Sequence, residues 1–332
     1  MNVLVKISDV SCYLPARVVS NEEVEQRVIF NGEHLASGIL ERLFGIKERR
    51  FAAEGEQVSD LAATAARPIV EKYGADHFDM LIFAAASGDL IEPATANIIQ
   101  QKLGLTCPAM DIKNACNSFV SGIQTASAFV MSGMYRHVLV VNGEKLSEVI
   151  NFTPKDSASF SQSVASYSLG DAGAAALITQ STNGRGIVYQ KFITIGEHWR
   201  LCMVEGGGSM RIRDMDAYYF QGQTSELRNV VLPNGTRFAR ECLKEAGWVS
   251  EDIKWVFTHQ ISHQTVQAVA ETFGVAKETV INVFPFTGNA AAASIPLAMD
   301  YALQRGMLQE GDKIVLLGLA AGISISVQLV VW

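Results

Sequence analysis

The chain sets out one series of elements twice, and this internal repeat restricts the fold more than any other feature of its 332 residues. In the first half an apolar run, Met80–Ala86, leads through a polar patch to a helical stretch from Pro93 to Leu103. A short strand, Ala109–Ile112, then runs into Asn114-Ala115-Cys116, followed by a helical segment from about Asn117 to Met134 and a strand, His137–Val141. The second half repeats the order: strand Trp255–Thr258, helix His263–Phe273, strand Val280–Phe284, the turn Thr287-Gly288-Asn289, helix Ala290–Gln304 and strand Lys313–Leu317. The offset between landmarks is nearly constant: 174 residues from Phe83 to Phe257, 173 from Cys116 to Asn289 and 176 from His137 to Lys313. A period this long is no solenoid unit. It predicts two similar α/β halves, residues 1–175 and 176–332, packed about a pseudo-twofold axis.

The strands are almost continuous apolar runs, which suits sheets covered by helices on both faces. The small-residue stretches Gly122–Ala128 and Ala290–Ala298 suit helices packed tightly at the centre. A doubly wound dinucleotide-binding fold has the same alternation, but no G-x-G-x-x-G occupies a first strand–helix turn here. The stretch from Ile150 to Tyr219 is the least regular, with a polar run Ser157–Ser168 and a triple glycine Gly206–Gly208. It reads either as an insertion shaping a substrate entrance or as a plain surface loop.

Composition narrows the class further. Hydrophobic residues make up 48% and charged residues 18%, a packed globular composition. A formal charge of −7 without any basic run argues against nucleic acid as partner. The five cysteines, Cys12, Cys107, Cys116, Cys202 and Cys242, are scattered and form no C-x-x-C pair. Free thiols and a reducing, cytoplasmic setting are expected. No signal peptide is expected from Met1–Leu14, and no membrane span, because no run of about 18 apolar residues occurs.

Cys116 stands where a short strand turns into a small-residue helix. The helix dipole and free backbone N–H groups there favour a thiolate and an oxyanion; a buried structural cysteine is the competing reading. His259 ends a strand, at the edge where α/β sites form, and a core histidine is its alternative. His263, four residues on, lacks the H-E-x-x-H glutamate and a third ligand, so no metal site is expected. Asn289 holds the place in the second half that Cys116 holds in the first, or is an ordinary turn residue. Gly318–Gly322 offers close backbone approach, or a simple bend. Glu92 before Pro93 is either a helix-start acid or a general base. No G-x-S-x-G and no phosphate loop is present.

The ordered set of cysteine, histidine and asparagine on a duplicated α/β chain resembles the β-ketoacyl synthase III group of the thiolase superfamily. The stretches that carry this likeness are Phe44–Arg50, Asn114-Ala115-Cys116, Gly170–Ala174, Thr258-His259-Gln260, Gly288-Asn289 with Ala293–Pro296, and Gly318–Gly322. They span nearly the whole chain. Leu90–Ala96, Asn114–Cys116 and Val330–Trp332 look closer to the acyl-CoA condensing enzymes of bacterial olefin biosynthesis, in which a glutamate in the first of these segments is thought to act as base across the dimer. Two departures stand out: the family's His-Gln-x-Asn reads His259-Gln260-Ile261-Ser262, and its last glycine triplet reads Ala320-Ala321-Gly322.

The resemblance implies a thiolase-like five-layer αβαβα fold and an acyltransferase that loads an acyl thioester on Cys116. It implies Claisen condensation with a second thioester, with His259 and Asn289 on the thioester carbonyl. An N–H from Ala320, Ala321 or Gly322 joins that of Cys116 on the oxyanion. The carbanion arises by loss of CO2 or by proton removal through Glu92. Coenzyme A or phosphopantetheine thioesters, free or on acyl carrier protein, are the implied substrates, with no permanent cofactor and with a homodimer as the assembly. A cysteine relay forming an ester or amide, and a silent subunit of a heterodimer, remain the alternatives.

Overall fold

The computed structural model describes residues 3–332. Its main strands are β1 (Val5–Tyr13), β2 (Met80–Ala84), β3 (Ala109–Ile112), β4 (His137–Glu144), β5 (Ala172–Gln180), β6 (Gly186–Thr194), β7 (Trp255–Thr258), β8 (Lys313–Ala320) and β9 (Ser324–Val331). The framing helices are α1 (Val58–Tyr73), α2 (Thr95–Leu103), α3 (Ser118–Met131), α4 (Thr224–Ala246), α5 (His263–Phe273) and α6 (Ser294–Gln304). The strand order is β7-β8-β9-β6-β1-β5-β4-β2-β3.

This ribbon is two sheets joined at one residue pair, Val5 opposite Ile187. On one side lie β1, β5, β4, β2 and β3; on the other β6, β9, β8 and β7, with a lone bridge from Val256 to Val280 where a fifth strand would lie. The halves match element by element, β1 to β6, β2 to β7, β4 to β8 and β5 to β9, with α1, α2 and α3 matched by α4, α5 and α6. The duplication read from the sequence is therefore a duplication of topology.

The two-residue period of the strands sorts each sheet between two cores. Leu81, Phe83, Leu139 and Val141 face Ala62, Ala66, Ile99 and Leu103 of α1 and α2. The alternate residues Ile82, Ala84, Val138 and Val140 face the centre. There they meet Phe119 and Ile123 of α3, Ile295 and Met299 of α6, and Phe257, Ile314 and Leu316 of the other sheet. Val256, Val315 and Leu317 face α4 and α5. Helix, sheet, helix, sheet, helix is the five-layer arrangement, and it requires strands apolar on both faces. A further cluster gathers Leu40, Ile46 and Phe51 with Ile150, Tyr167, Leu169 and Phe284. It packs part of the irregular region against the N-terminal segment.

Three local expectations change. The stretch Val280–Phe284 is no strand beyond its single bridge. The N–H groups of Val283 and Phe284 donate to Gln260 Oε1 instead, both at 3.0 Å, and Phe284–Thr287 forms a helical turn with Pro285 near its start. The helix expected from Ala290 starts as α6 at Ser294, after a tight turn at Ala291–Ala293. The division at 175/176 falls within β5, which pairs along its length with β1 and β4. No helix among the described residues is long and apolar enough to cross a membrane.

Candidate active site

Cys116 sits in a turn fixed from two sides. Ala115 holds φ at +46°, and Ser118 closes the turn by donating from Oγ to Ala115 O at 2.7 Å while accepting from Asn114 N–H at 2.8 Å. The next residue, Asn117, is fully buried and donates from Nδ2 to Ser324 O at 3.0 Å and to Ser324 Oγ at 3.1 Å. Asn114 Nδ2 reaches the same hydroxyl at 3.2 Å. Ser324 opens β9 immediately after the Gly318–Gly322 segment. The strand residue Gly318 is glycine for a steric reason, since a Cβ there would lie 1.9 Å from Asn117 Oδ1. These contacts hold the Cys116 turn and the glycine-containing segment together. Of residues 320–322, the Ala321 backbone N–H acts with that of Cys116 to lower the thiol pKa.

One expectation reverses. Position at a helix start was expected to favour thiolate, but burial pushes the Cys116 thiol well up, and Cys202 and Glu144 push it further; the two N–H contacts only partly offset this. Burial therefore favours the protonated thiol over the thiolate.

His259, 6% exposed, directly follows the last residue of β7. Its Nδ1 lies 3.2 Å from Ala291 O. A carbonyl only accepts, so the ring proton sits on Nδ1 and Nε2 keeps its lone pair. Burial lowers the pKa from 6.5 to about 4, against the pull of the Ala291 carbonyl, and keeps the ring neutral. The adjacent Gln260 is a bracket: Nε2 donates to Ile281 O, and Oε1 takes the Val283 and Phe284 N–H groups. It sets the segment that leads to Asn289 at a fixed distance from β7.

Asn289 follows Gly288, whose φ is +66° and whose missing Cβ leaves room for Ser168 O at 2.6 Å. The Asn289 N–H donates to Ser168 O at 2.8 Å, and its O accepts from Gly170 N–H at 3.0 Å. Its Oδ1 accepts from Ala291 N–H at 3.0 Å, so Nδ2 is left as a donor. Ala291 thus orients both side chains, through its carbonyl to His259 and its N–H to Asn289. The turn that contains it packs on α3 and β4 beside the Cys116 region. Backbone registers refine the repeat: α3 and α6 start 176 residues apart, as Ala115 and Ala291 are, so Asn289 falls three residues ahead of the true counterpart of Cys116.

Glu92 shares none of these anchors. It is exposed, in a loop with Leu90 at 56% and Ile91 at 74% exposure, and no hydrogen bond ties it to Cys116, His259 or Asn289. His263 is exposed at the start of α5, against Gly45, and no cluster of three metal-ligating side chains forms among the described residues. Sequence reasoning missed the roles of Gln260 and Asn117, and missed Glu144, a fully buried carboxyl whose charge bears on Cys116. The signal for Glu144 was present: an acid closing the apolar run His137–Val141.

The doubled sheet, the central helices and this placement of cysteine, histidine and asparagine define a thiolase-like condensing enzyme. Family models for 3-oxoacyl-[acyl-carrier-protein (ACP)] synthase III match residues 110–196, and for its C-terminal part residues 243–332. The chain is 32% identical over 328 residues to β-ketoacyl-[acyl-carrier-protein] synthase III of Neisseria meningitidis serogroup C, covering 96% of both. Among solved structures it is similar to 3-oxoacyl-[acyl-carrier-protein] synthase III of Aquifex aeolicus, with TM-score 0.86, 27% identity, and coverage of 99% of this chain and 100% of that one. It is also similar to cerulenin-bound OleA of Xanthomonas campestris, with TM-score 0.88, 25% identity, and coverage of 100% and 98%. The chain belongs to the β-ketoacyl-[acyl-carrier-protein] synthase III family, and it is an acyltransferase that joins two thioesters by Claisen condensation.

Proposed function

We propose that Cys116 carries the acyl group, that His259 takes the thiol proton and that Asn289 receives the second thioester. The observation that carries this reading is the shared anchor at Ala291, which leaves a lone pair at His259 Nε2 and a donor at Asn289 Nδ2. The Cys116 proton passes to Nε2 as the sulfur attacks the first thioester carbonyl. The N–H groups of Cys116 and Ala321 hold the oxyanion, and the departing thiolate takes the proton back. In the second half-reaction Asn289 Nδ2 donates to the carbonyl of the incoming thioester; its α-proton passes to the carboxylate of Glu92 from a second copy, and the resulting enolate carbon attacks the acyl-cysteine carbonyl. Cys116 leaves as thiolate and the β-keto thioester is released.

The substrates are acyl groups on coenzyme A or on the phosphopantetheine of acyl carrier protein. Five free cysteines suit a reducing cytoplasm. The assembly is a homodimer. The outer edge of β3 is the free end of the nine-stranded sheet, with Met110 36% exposed, and such an edge favours pairing with a second copy. The nearby exposed Leu90 and Ile91 add apolar surface to that face, and Glu92 beside them would serve the partner's site as base.

The test is to incubate the enzyme with a panel of acyl-CoAs, with and without malonyl thioesters, following intact mass and products. Condensation of acyl-CoAs alone is expected, with an acyl adduct on Cys116. Condensation only with the malonyl partner would remove Glu92 from the chemistry, and absence of any adduct would overturn the nucleophile.

A further inference from the structure

Glu144 lies at the end of β4, fully buried, in a strand whose stretch Val138–Val141 is apolar and buried. A carboxyl there is costly unless its lone pairs are met. Every group around it is a donor. Ala86 N–H and Asn142 Nδ2 reach Oε1 at 2.9 and 3.2 Å, and Ser87 N–H and Oγ reach Oε2 at 3.2 and 2.8 Å. Four donors and no acceptor define a site for the ionised form, although burial works against ionisation and raises the pKa.

Three of those donors belong to Ala86 and Ser87, the first turn of the loop between β2 and α2. The loop is fastened further along. Asp89 accepts from Ser59 N–H at 3.0 Å and from Ser59 Oγ, and its own N–H donates to Thr95 Oγ1 at 3.1 Å. Asp111 on β3 caps α2 by accepting from Thr95 and Ala96 N–H at 2.9 and 2.8 Å. Between these anchors only Leu90–Pro93 project into solvent.

We propose that Glu144 is a positioning residue for the condensation step, fixing from inside the fold the base of the arm whose tip presents Glu92. The inference rests on the reading of Glu92 as base. One buried carboxylate thereby links the neighbourhood of Cys116 to a side chain that acts outside its own subunit. The arm is short and tied at both ends, so loosening Ala86 and Ser87 displaces the tip.

The test uses Glu144→Gln and Ser87→Ala in the full-length chain, with two readouts. Hydrogen exchange of a peptide spanning residues 84–94 is expected to quicken in Glu144→Gln while peptides of β4 and α3 keep their rates. Acyl loading of Cys116 is expected to stay within about threefold and condensation to fall at least ~10-fold, less in Ser87→Ala; on a Glu92→Ala background Glu144→Gln should add less than ~twofold, the sign of two residues acting as one unit. Unchanged exchange, or full additivity of the two substitutions, would overturn the proposal. Loss of loading in step with condensation would do the same, because it means general damage. If Glu144→Gln fails to fold, Ser87→Ala decides by the same measures. A Glu92→Ala enzyme with full condensation would instead sink the base assignment, and the exchange data would still judge the anchor.

Discussion

The Cys116 turn and the Asn289 turn are two versions of one piece of backbone. Each leads into a helix of the central layer, and each contains an alanine at positive φ, Ala115 at +46° and Ala291 at +42°. Their hydrogen bonds differ. In the first turn the Ser118 hydroxyl takes the Asn114 N–H and donates to Ala115 O. In the second, the Asn289 N–H and carbonyl are occupied by Ser168 and Gly170, and the Ala291 N–H by Asn289 Oδ1. On the proposed mechanism, one copy presents the nucleophile and the other uses its backbone to aim two side chains. Duplication kept the path of the chain, and on the proposed mechanism the change in which groups are free divides acyl loading from condensation.

The sharpest way to break this comparison is to remove one member from each turn. Cys116→Ser should abolish acyl loading, a loss of roughly 10^4-fold or more in turnover. Asn289→Ala should leave loading within a few-fold and lower condensation by about 10^2–10^3, the usual cost of one oxyanion donor. Intact mass reads the first half-reaction and product formation the second. Equal loss of both in Asn289→Ala would dissolve the division of labour.

The His259 environment gives a pH test. Its folded pKa, about 4, lies below the unfolded value of 6.5, so between these values the unfolded chain binds a proton that the folded chain refuses. The stabilising contribution of the neutral buried ring is complete above pH 6.5 and is lost as pH falls toward 4, amounting to roughly 3 kcal/mol over the window. Urea unfolding should lose about 2 kcal/mol from this residue between pH 7 and pH 5, a loss missing from His259→Gln. Parallel pH curves for the two proteins would show that the ring is not held neutral.

Legibility followed the range of the forces. Elements governed by local periodicity, such as β2, β7 and α5, stood in the sequence almost to the residue, and so did the positions of Cys116 and His259 at strand ends. The Val280–Phe284 strand was misread because its N–H groups are captured by a side chain more than twenty residues away, at Gln260. The thiol's protonation was misread because desolvation depends on what covers Cys116, which a helix-start pattern does not report. Asn117 and Ser324 are 207 residues apart, and Glu144 and Ala86 are 58 apart. Such staples carry no local signature. Only an acid or an amide placed among apolar neighbours hints that something distant must satisfy it.

The finest test concerns the two strained alanines. A non-glycine residue in the left-handed region costs of order 1–2 kcal/mol, and glycine relieves this while adding unfolded-state entropy of about 0.4–1 kcal/mol. Ala115→Gly and Ala291→Gly should therefore each stabilise the fold by only ~0.5–1 kcal/mol. If the strain belongs to the repeated backbone, the two denaturation midpoints move together. Their chemistry should separate. Gly at 115 frees the turn that presents the thiol and should slow acyl loading. Gly at 291 frees the carbonyl and N–H that aim His259 and Asn289; loading also needs the His259 base, so condensation should suffer more, with loading reduced to a smaller degree. A reversed order of effects would place the base on the Cys116 side of the molecule and remove Ala291 as the common anchor.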